Sequence, residues 1–185
     1  HNPAIRHARI GWTLCAAVGV ALMVVGLYRW GIPGIASAAT PFIPVAWEES
    51  LGRQIVAHLA PETQQCRNPE RLRKLDLIAQ TLAATHPESP YRITLSVVDD
   101  PTVNAFAAPG GRVVILRGLL ERTASPDQLA GVLAHELQHI YQRHTTKAIL
   151  EQTAATLLLT AVSGDMSGGL AWGLAGARPM GSLHS

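Results

Sequence analysis

A long apolar segment near the N-terminus is the feature that most limits what this chain can fold into. No residue from Ile10 to Tyr28 is charged, and Leu, Val, Ala, Ile and Gly dominate the stretch. It is long enough to cross the hydrocarbon core of a bilayer as a helix. Trp12 lies near one end, and Tyr28 and Trp30 lie near the other, as aromatic residues do at membrane interfaces. The sequence therefore predicts an N-terminal membrane anchor over residues 1–31.

The charges around this segment predict its orientation. Arg6 and Arg9 precede it and only Arg29 follows closely, so the positive-inside rule favours a cytoplasmic N-terminus. The rest of the chain would then lie in the periplasm, attached to the inner membrane by a single span. The alternative is a cleaved signal peptide with the small residues 36–38 as its cleavage site. The length of the apolar run, and Arg29 and Trp30 before that site, favour the uncleaved anchor.

Composition agrees with membrane association and argues against other classes of protein. Only 15% of the residues are charged, whereas 48% are hydrophobic. The net charge of +2 and the absence of a basic cluster exclude a nucleic-acid partner. Two cysteines are too few for a disulfide framework.

The residues beyond the anchor divide into a linker and one domain. Segment 32–45 contains three prolines and a run of small residues, which is typical of a linker, and 46–185 is left as the domain. Periodic patterns in the domain predict two amphipathic helices, three strands and a tight turn centred on Pro109 and Gly110. The predicted helices cover 47–59 and 69–85, and the predicted strands cover 92–98, 103–107 and 112–116. The predicted apolar, core-facing stripe of the first helix is Trp47, Leu51, Ile55 and Leu59.

The pattern His-Glu-x-x-His occupies positions 135–139. In a helix, His135 and His139 stand one turn apart on the same face, so their imidazoles can converge on one metal ion. Glu136 lies beside them, where a carboxylate can take a proton from a water molecule. Two neutral nitrogen ligands, a third ligand from elsewhere, an open water position and a carboxylate base are the parts of a zinc peptidase. The motif therefore predicts a Zn²⁺ site with hydrolytic chemistry.

The residues around the motif strengthen this prediction. Ser125 as N-cap, Pro126 at the first helical position and Gln128 in a capping box predict a helix start. The predicted apolar side of this helix carries Ala130, Leu133, Leu137, Ile140 and Tyr141. The histidines then face a cleft on the other side. The chain becomes apolar again over 148–162, so either the helix runs on into a core or membrane-contacting segment or this stretch is a loose hydrophobic insertion; a core segment is the default expectation.

Several segments resemble one known family in order and spacing. The zinc endopeptidase family concerned contains HtpX, the Oma-type quality-control proteases and the CaaX prenyl endopeptidase. The segments that carry the resemblance are 103–111, Gly118–Leu120, 129–139 and Arg143–His144. The N-terminal anchor is similar to that of bacterial, membrane-tethered members. The match covers roughly Trp47 to His144, which is far more specific than the five-residue motif alone.

The resemblance implies a fold and a set of roles. The expected class is α+β: a transmembrane helix, then a mainly helical, zincin-like domain with a small β-sheet beside the motif helix. His135 and His139 would bind zinc, Glu136 would act as general base, and a glutamate on a later helix would complete the site. Asn104, Ala105, Phe106 and Ala107 would line the cleft and bind an extended substrate peptide by strand addition. His144 would support the structure without binding zinc, because it points away from the metal face of a regular helix.

The sequence departs from the family at the third ligand. No Glu follows Glu151, which lies too close to the motif to fold back onto the metal. Asp165 is a chemical substitute at the wrong spacing for the family. The residues 181–185 resemble the stretch that immediately precedes the third ligand in relatives. We therefore expect the domain to be truncated just before that glutamate.

Function follows from the resemblance, with rivals from other classes. The expected activity is hydrolysis of peptide bonds in damaged or misassembled proteins at the cell envelope. The first alternative is a catalytically inactive, membrane-tethered module that holds extended peptides at the strand near Asn104. A structural zinc site is the second alternative, although such sites usually have four protein ligands and more cysteine.

Overall fold

A computed structural model describes residues 3–163 of the 185-residue chain, and the side chains of residues 11–162. The described chain forms α-helices on both sides of a three-stranded sheet, preceded by a long N-terminal helix. The α-helices are α1 (Pro3–Gly26), α2 (Ile32–Ala39), α3 (Val45–Leu59), α4 (Pro69–Ala83), α5 (Arg117–Arg122), α6 (Pro126–Tyr141) and α7 (His144–Ser163). The strands are β1 (Thr94–Val98), β2 (Ala105–Ala108) and β3 (Arg112–Leu116).

The N-terminal helix runs on well beyond the predicted anchor. α1 continues through a π turn, Leu27–Gly31, into α2 and a 3-10 turn, Thr40–Phe42. Within the described residues, the stretch Gly11–Phe42 is the one helix that is long and apolar enough to cross a membrane, by length and composition. Its 32 residues extend about 48 Å, whereas a hydrocarbon core is about 30 Å thick. The helix is thus longer than one span requires.

The segment predicted as a linker is helical and packs on the domain. A stripe at every fourth residue of this segment is buried, formed by Ile32, Ala36 and Thr40, and α2 packs against α7. Pro33 and Pro41 do not break the helix, because each lies in the first turn of its element, where a missing N–H is tolerated. Pro44 lies outside it, as the extended N-cap of α3. The turn before Pro33 widens to a π turn, in which the Ile32 N–H bonds the Leu27 carbonyl.

The sheet has the strand order β1-β3-β2. β3 pairs in parallel with β1, Thr94 opposite Arg112, and antiparallel with β2, Ala105 opposite Ile115. The predicted turn after Pro109 is present, and Gly110 and Gly111 adopt φ of 73° and 82° there. Because β2 comes last in the strand order, one of its edges pairs with no other strand. This free edge of β2 lies towards α6 and α7, which β2 contacts.

The two faces of the sheet carry separate apolar clusters, because side chains alternate along each strand. Val113 and Ile115 face a cluster with α4 and α6, and Val114 faces one with α3. The prediction of a mainly helical α+β chain with a small sheet beside the motif helix is confirmed. The predicted apolar stripe of α3 is only partly correct, because Ile55 packs against a core cluster but the fully buried face is a neighbouring one. Its buried residues are Glu48, Gly52 and Val56 rather than the stripe of Trp47, Leu51, Ile55 and Leu59.

Candidate active site

The motif helix α6 begins as the sequence predicts. Ser125 accepts a hydrogen bond from the Gln128 N–H at 3.3 Å, and Pro126 is the first helical residue. The Gln128 side chain accepts from the N–H of Ala124, one residue before the partner that a standard capping box would use. Four apolar residues fix the helix on the sheet: Leu129, Leu133, Leu137 and Ile140 are buried. This anchoring leaves the opposite face for the motif.

The two motif histidines approach each other through their Nε2 atoms. These nitrogens are 3.1 Å apart, and the His135 and His139 rings meet edge to face at 85°. Two nitrogens bound to one tetrahedral Zn²⁺ at about 2.0–2.1 Å would lie about 3.3 Å apart. The Nε2 separation of the pair is thus close to that expected for two ligands of one such ion.

Glu136 faces the free edge of β2. Burial raises the pKa of its carboxyl, against the opposing effects of the His135 charge and of a hydrogen bond from the Ala107 backbone. A carboxylate with a raised pKa is a stronger base than an exposed glutamate, and it sits one residue from His135. The motif therefore places a partly desolvated base beside the two converging imidazoles.

The strand predicted to bind substrate lies next to this base, and its four residues are not equivalent. Leu116 donates to the Asn104 carbonyl at 3.0 Å, so the alternating ladder turns the backbone groups of Ala105 and Ala107 to the free edge. Both backbone groups of Ala107 already have partners at this edge. Its N–H donates to the Glu136 carboxylate, and its carbonyl accepts from the Thr145 hydroxyl at 3.1 Å. The Phe106 side chain lies on the other face of the sheet, against the α3 cluster.

His144 contacts the motif, contrary to the prediction that it points away. That prediction assumed a regular helix, but α6 ends at Tyr141, and Arg143 adopts φ 55°. This left-handed turn brings the His144 ring back, with its Nδ1 2.9 Å from Nδ1 of His139. Because His139 uses the opposite nitrogen towards His135, the contact fixes the orientation of the His139 ring.

A buried ion pair holds this turn in place, and sequence patterns gave no sign of it. Arg143 donates to both carboxylate oxygens of Glu48, at 3.1 and 2.7 Å, and to the Ile43 carbonyl. Tyr91 and Thr146 also donate to the carboxylate. Burial alone would raise the pKa of Glu48, but these hydrogen bonds outweigh it and hold the pKa below its ordinary value.

The remaining candidates for a third ligand lie elsewhere. Among residues 3–163, no three His, Cys, Asp or Glu side chains are grouped so as to hold a metal ion. Glu151 lies on α7 and pairs with Lys147 at 3.8 Å. Asp165 lies outside the described residues. In the described part of the chain, the candidate metal ligands are therefore His135 and His139.

The helix-borne histidine pair, the adjacent glutamate and the neighbouring strand edge have the arrangement of a peptidase centre. The family model for Peptidase family M48 matches residues 65–178, more than half of the chain. The chain belongs to this peptidase family, which confirms the resemblance noted from residues 103–144.

Related proteins of known name are also peptidases. The chain is 38% identical over 95 residues to mitochondrial metalloendopeptidase OMA1 of Schizosaccharomyces pombe, a match covering 50% of this chain and 28% of that protein. It is 28% identical over 158 residues to the beta-barrel assembly-enhancing protease of Yersinia pestis, covering 80% and 32%. The Escherichia coli protein of the same name is 27% identical over 123 residues, covering 65% and 25%. The chain therefore spans about a third or less of the length of these relatives.

Proposed function

We propose that the chain carries the active site of a zinc-dependent endopeptidase that hydrolyses proteins at a membrane. The observation that carries this proposal is the convergence of the His135 and His139 Nε2 atoms, 3.1 Å apart, with Glu136 beside them. A histidine pair that only stabilised α6 would have no need for an adjacent, partly desolvated carboxylate.

The roles of the residues follow from their positions. His135 and His139 would hold Zn²⁺, which when bound polarises a carbonyl and lowers the pKa of a water to about 7. Glu136 takes the proton of the attacking water and passes it to the nitrogen of the leaving amine. His144 orients His139 through the Nδ1 contact and is a positioning residue.

The free edge of β2 is the proposed site of substrate binding. A peptide laid along an edge strand pairs with backbone groups that no other strand uses. The Ala105 groups point to this edge, whereas the Ala107 carbonyl already bonds Thr145. Edge pairing would therefore centre on Ala105, since the Asn104 N–H and carbonyl already bond Thr102 and Leu116, and the scissile bond would follow next to Glu136.

The N-terminal helix is proposed as a single-pass anchor, with the active site in the periplasm. Its span would lie within residues 1–31, and α2 would form a rigid connection to the peptidase domain because its buried stripe packs on α7. The names of the relatives associate such domains with a mitochondrial peptidase and with an assembly-enhancing protease. Quality control of envelope proteins is the corresponding proposal for this chain.

Zinc content and proteolysis, measured on the full chain in detergent micelles, test the proposal. Provided that a third ligand completes the site, we expect zinc to bind, casein to be cleaved, a chelator to stop cleavage and added zinc to restore it. Glu136→Gln should keep the zinc and lose about 100-fold or more of the rate, the usual size of an acid–base contribution. Gln138→Ala, on the exposed side of the same helix, is the matched control and should keep both.

Other outcomes would point elsewhere. Cleavage that persists in Glu136→Gln would remove this residue from the chemistry. If neither zinc nor cleavage is found while peptides still bind, the chain is an inactive peptide-binding module. Zinc that is bound by the full chain and lost in Asp165→Asn would assign the third ligand to Asp165.

A further inference from the structure

The second half of α7 is exposed and apolar. After Glu151, no residue up to Val162 is charged, whereas the first two turns contain Lys147 and Glu151 as an ion pair. The side chains of Leu157, Leu159 and Val162 are 65%, 59% and 60% exposed. Successive residues of a helix turn by about 100°, so Leu157 and Leu159 project to opposite sides and this end of α7 is apolar all round, as in a helix buried in a core or a membrane. The helix thus changes from polar to apolar along its length.

The direction of α7 follows from contacts at its start. Arg143, just before α7, donates to the carbonyl of Ile43. Ile43 directly follows the 3-10 turn Thr40–Phe42, which ends the long N-terminal helix. From there α7 packs along α2, whose buried stripe extends back through Thr40 and Ala36 to Ile32. The two helices therefore run antiparallel, and the end of α7 points towards α1.

The lengths of these helices set the level that α7 reaches. Both advance about 1.5 Å per residue, so the 20 residues of α7 extend about 30 Å. Starting level with Ile43, the segment 157–162 comes level with the π turn Leu27–Gly31 and the adjoining end of α1. That turn carries Tyr28 and Trp30, 53% and 73% exposed, the aromatic residues expected at a membrane interface.

We propose that the last turns of α7 enter the lipid interface beside the anchor helix. The apolar patch around this end of α7, formed by Leu157, Leu159 and Val162, lies level with the π turn at which the proposed anchor emerges. A bilayer buries all three side chains without a partner protein. Among the described residues, α7 does not have the length and apolar composition of a membrane span.

The contact has a consequence for the peptidase site. α7 begins at His144, whose ring touches His139, and ends in the lipid interface. Anchor and α7 together would hold the histidine pair within about 30 Å of the bilayer surface. This favours substrate segments that lie close to that surface. The inference rests on the proposed anchor but not on catalysis.

Nitroxide scanning on the full chain in phosphatidylethanolamine–phosphatidylglycerol vesicles tests the contact. Single cysteines replace Leu157, Leu159 or Val162 in a background with Cys15→Ser and Cys66→Ser. Collision with lipid-soluble oxygen is compared with collision with a water-soluble nickel chelate. At all three positions we expect the nitroxide to collide more often with oxygen than with the nickel chelate. The ratio of oxygen to nickel collisions should be several-fold higher than in the matched control Gln152→Cys, an exposed polar position on the same helix.

Three results would overturn or relocate the inference. A ratio equal to that of Gln152→Cys would mean that the patch lies in water. Low collision with both reagents would mean that protein, such as a second copy of the chain, covers it. The native Cys15, labelled in a Cys66→Ser chain, reports on the anchor separately. If this position is exposed to the nickel chelate, the membrane anchor itself is wrong.

Discussion

Glu48 and Arg143, 95 residues apart in the sequence, form a two-point ion pair in the interior of the domain. The carboxylate is only 1% exposed. Glu48 belongs to the first turn of α3, and Arg143 forms the left-handed turn that ends the motif helix. The pair therefore ties the start of the domain to the point at which His144 is directed onto His139.

Removing the charge of Glu48 is expected to destabilise the fold strongly. Glu48→Gln keeps the shape of the side chain but leaves the Arg143 guanidinium without its counter-charge, and breaking a buried pair costs about 3–5 kcal/mol. The free energy of unfolding, measured by denaturant titration in micelles, gives the loss. Glu70→Gln is the control, because its pair with Lys74 is exposed and is expected to contribute at most about 1 kcal/mol. Equal losses in the two variants would contradict a stabilising role for the buried pair.

His144 is expected to matter for metal binding more than for stability. Its ring is exposed and touches the Nδ1 of His139, and loss of such a partner typically costs about 10–100-fold in metal affinity. We expect His144→Ala to show that loss in zinc titrations against a competing chelator, and His144→Asn to recover part of it through its amide. His58→Ala, an exposed histidine on α3, should leave the affinity unchanged. An unchanged affinity in His144→Ala would show that its ring does not position the ligand.

Local signals explain what the sequence could predict. The N-cap at Ser125, the Pro109–Gly110 turn and the apolar run from Ile10 each depend on residues close in the chain, and each is present as expected. The histidine pair belongs to the same class, because one helical turn is enough to bring His135 and His139 together. A helix and a spacing thus sufficed to predict that the two histidine rings approach each other.

Long-range contacts explain what the sequence could not. The spacing of Trp47 and Leu51 suggested the buried face of α3, but the true face carries Glu48, which is buried because Arg143 meets it there. The position of His144 was missed for the same reason. Its direction depends on the αL turn that this distant pair holds in place.

The close approach of α3 to the turn after Pro109 is expected to make Gly52 irreplaceable. A Cβ built there would lie 1.9 Å from the Pro109 carbonyl oxygen, so Gly52→Ala must push the helix away from β2 and β3. We expect a loss of about 1–3 kcal/mol in unfolding free energy, as for an overpacked core. Gly131→Ala is the matched control in α6, where nothing lies within 4 Å, and it should stabilise by about 0.5–1 kcal/mol. A stable Gly52→Ala protein would mean that the helix and turn are not packed this closely.

The ion pair also predicts how stability changes with pH at both extremes. Burial and the hydrogen bond to Glu48 raise the pKa of Tyr91 from 10.0 to about 12. A raised pKa in the folded state means that this stabilisation is complete below pH 10 and is lost as the pH rises through about 12. For Glu48, whose pKa lies below 4.5, the stabilisation is present above pH 4.5 and is lost on further acidification.

Two variants separate these effects in denaturant titrations across the pH range. Tyr91→Phe should flatten the fall in stability between pH 10 and about 12. Because the Tyr91 hydroxyl is one of the donors that lower the pKa of Glu48, this variant should also weaken the acid effect, although the Arg143 and Thr146 hydrogen bonds remain. Glu48→Gln should flatten the fall below pH 4.5. Because Glu48 is also the acceptor that holds the Tyr91 proton, this variant should weaken the alkaline effect as well. An alkaline fall that is the same in wild type and in Tyr91→Phe would show that other groups, and not the phenol bound to Glu48, govern stability there.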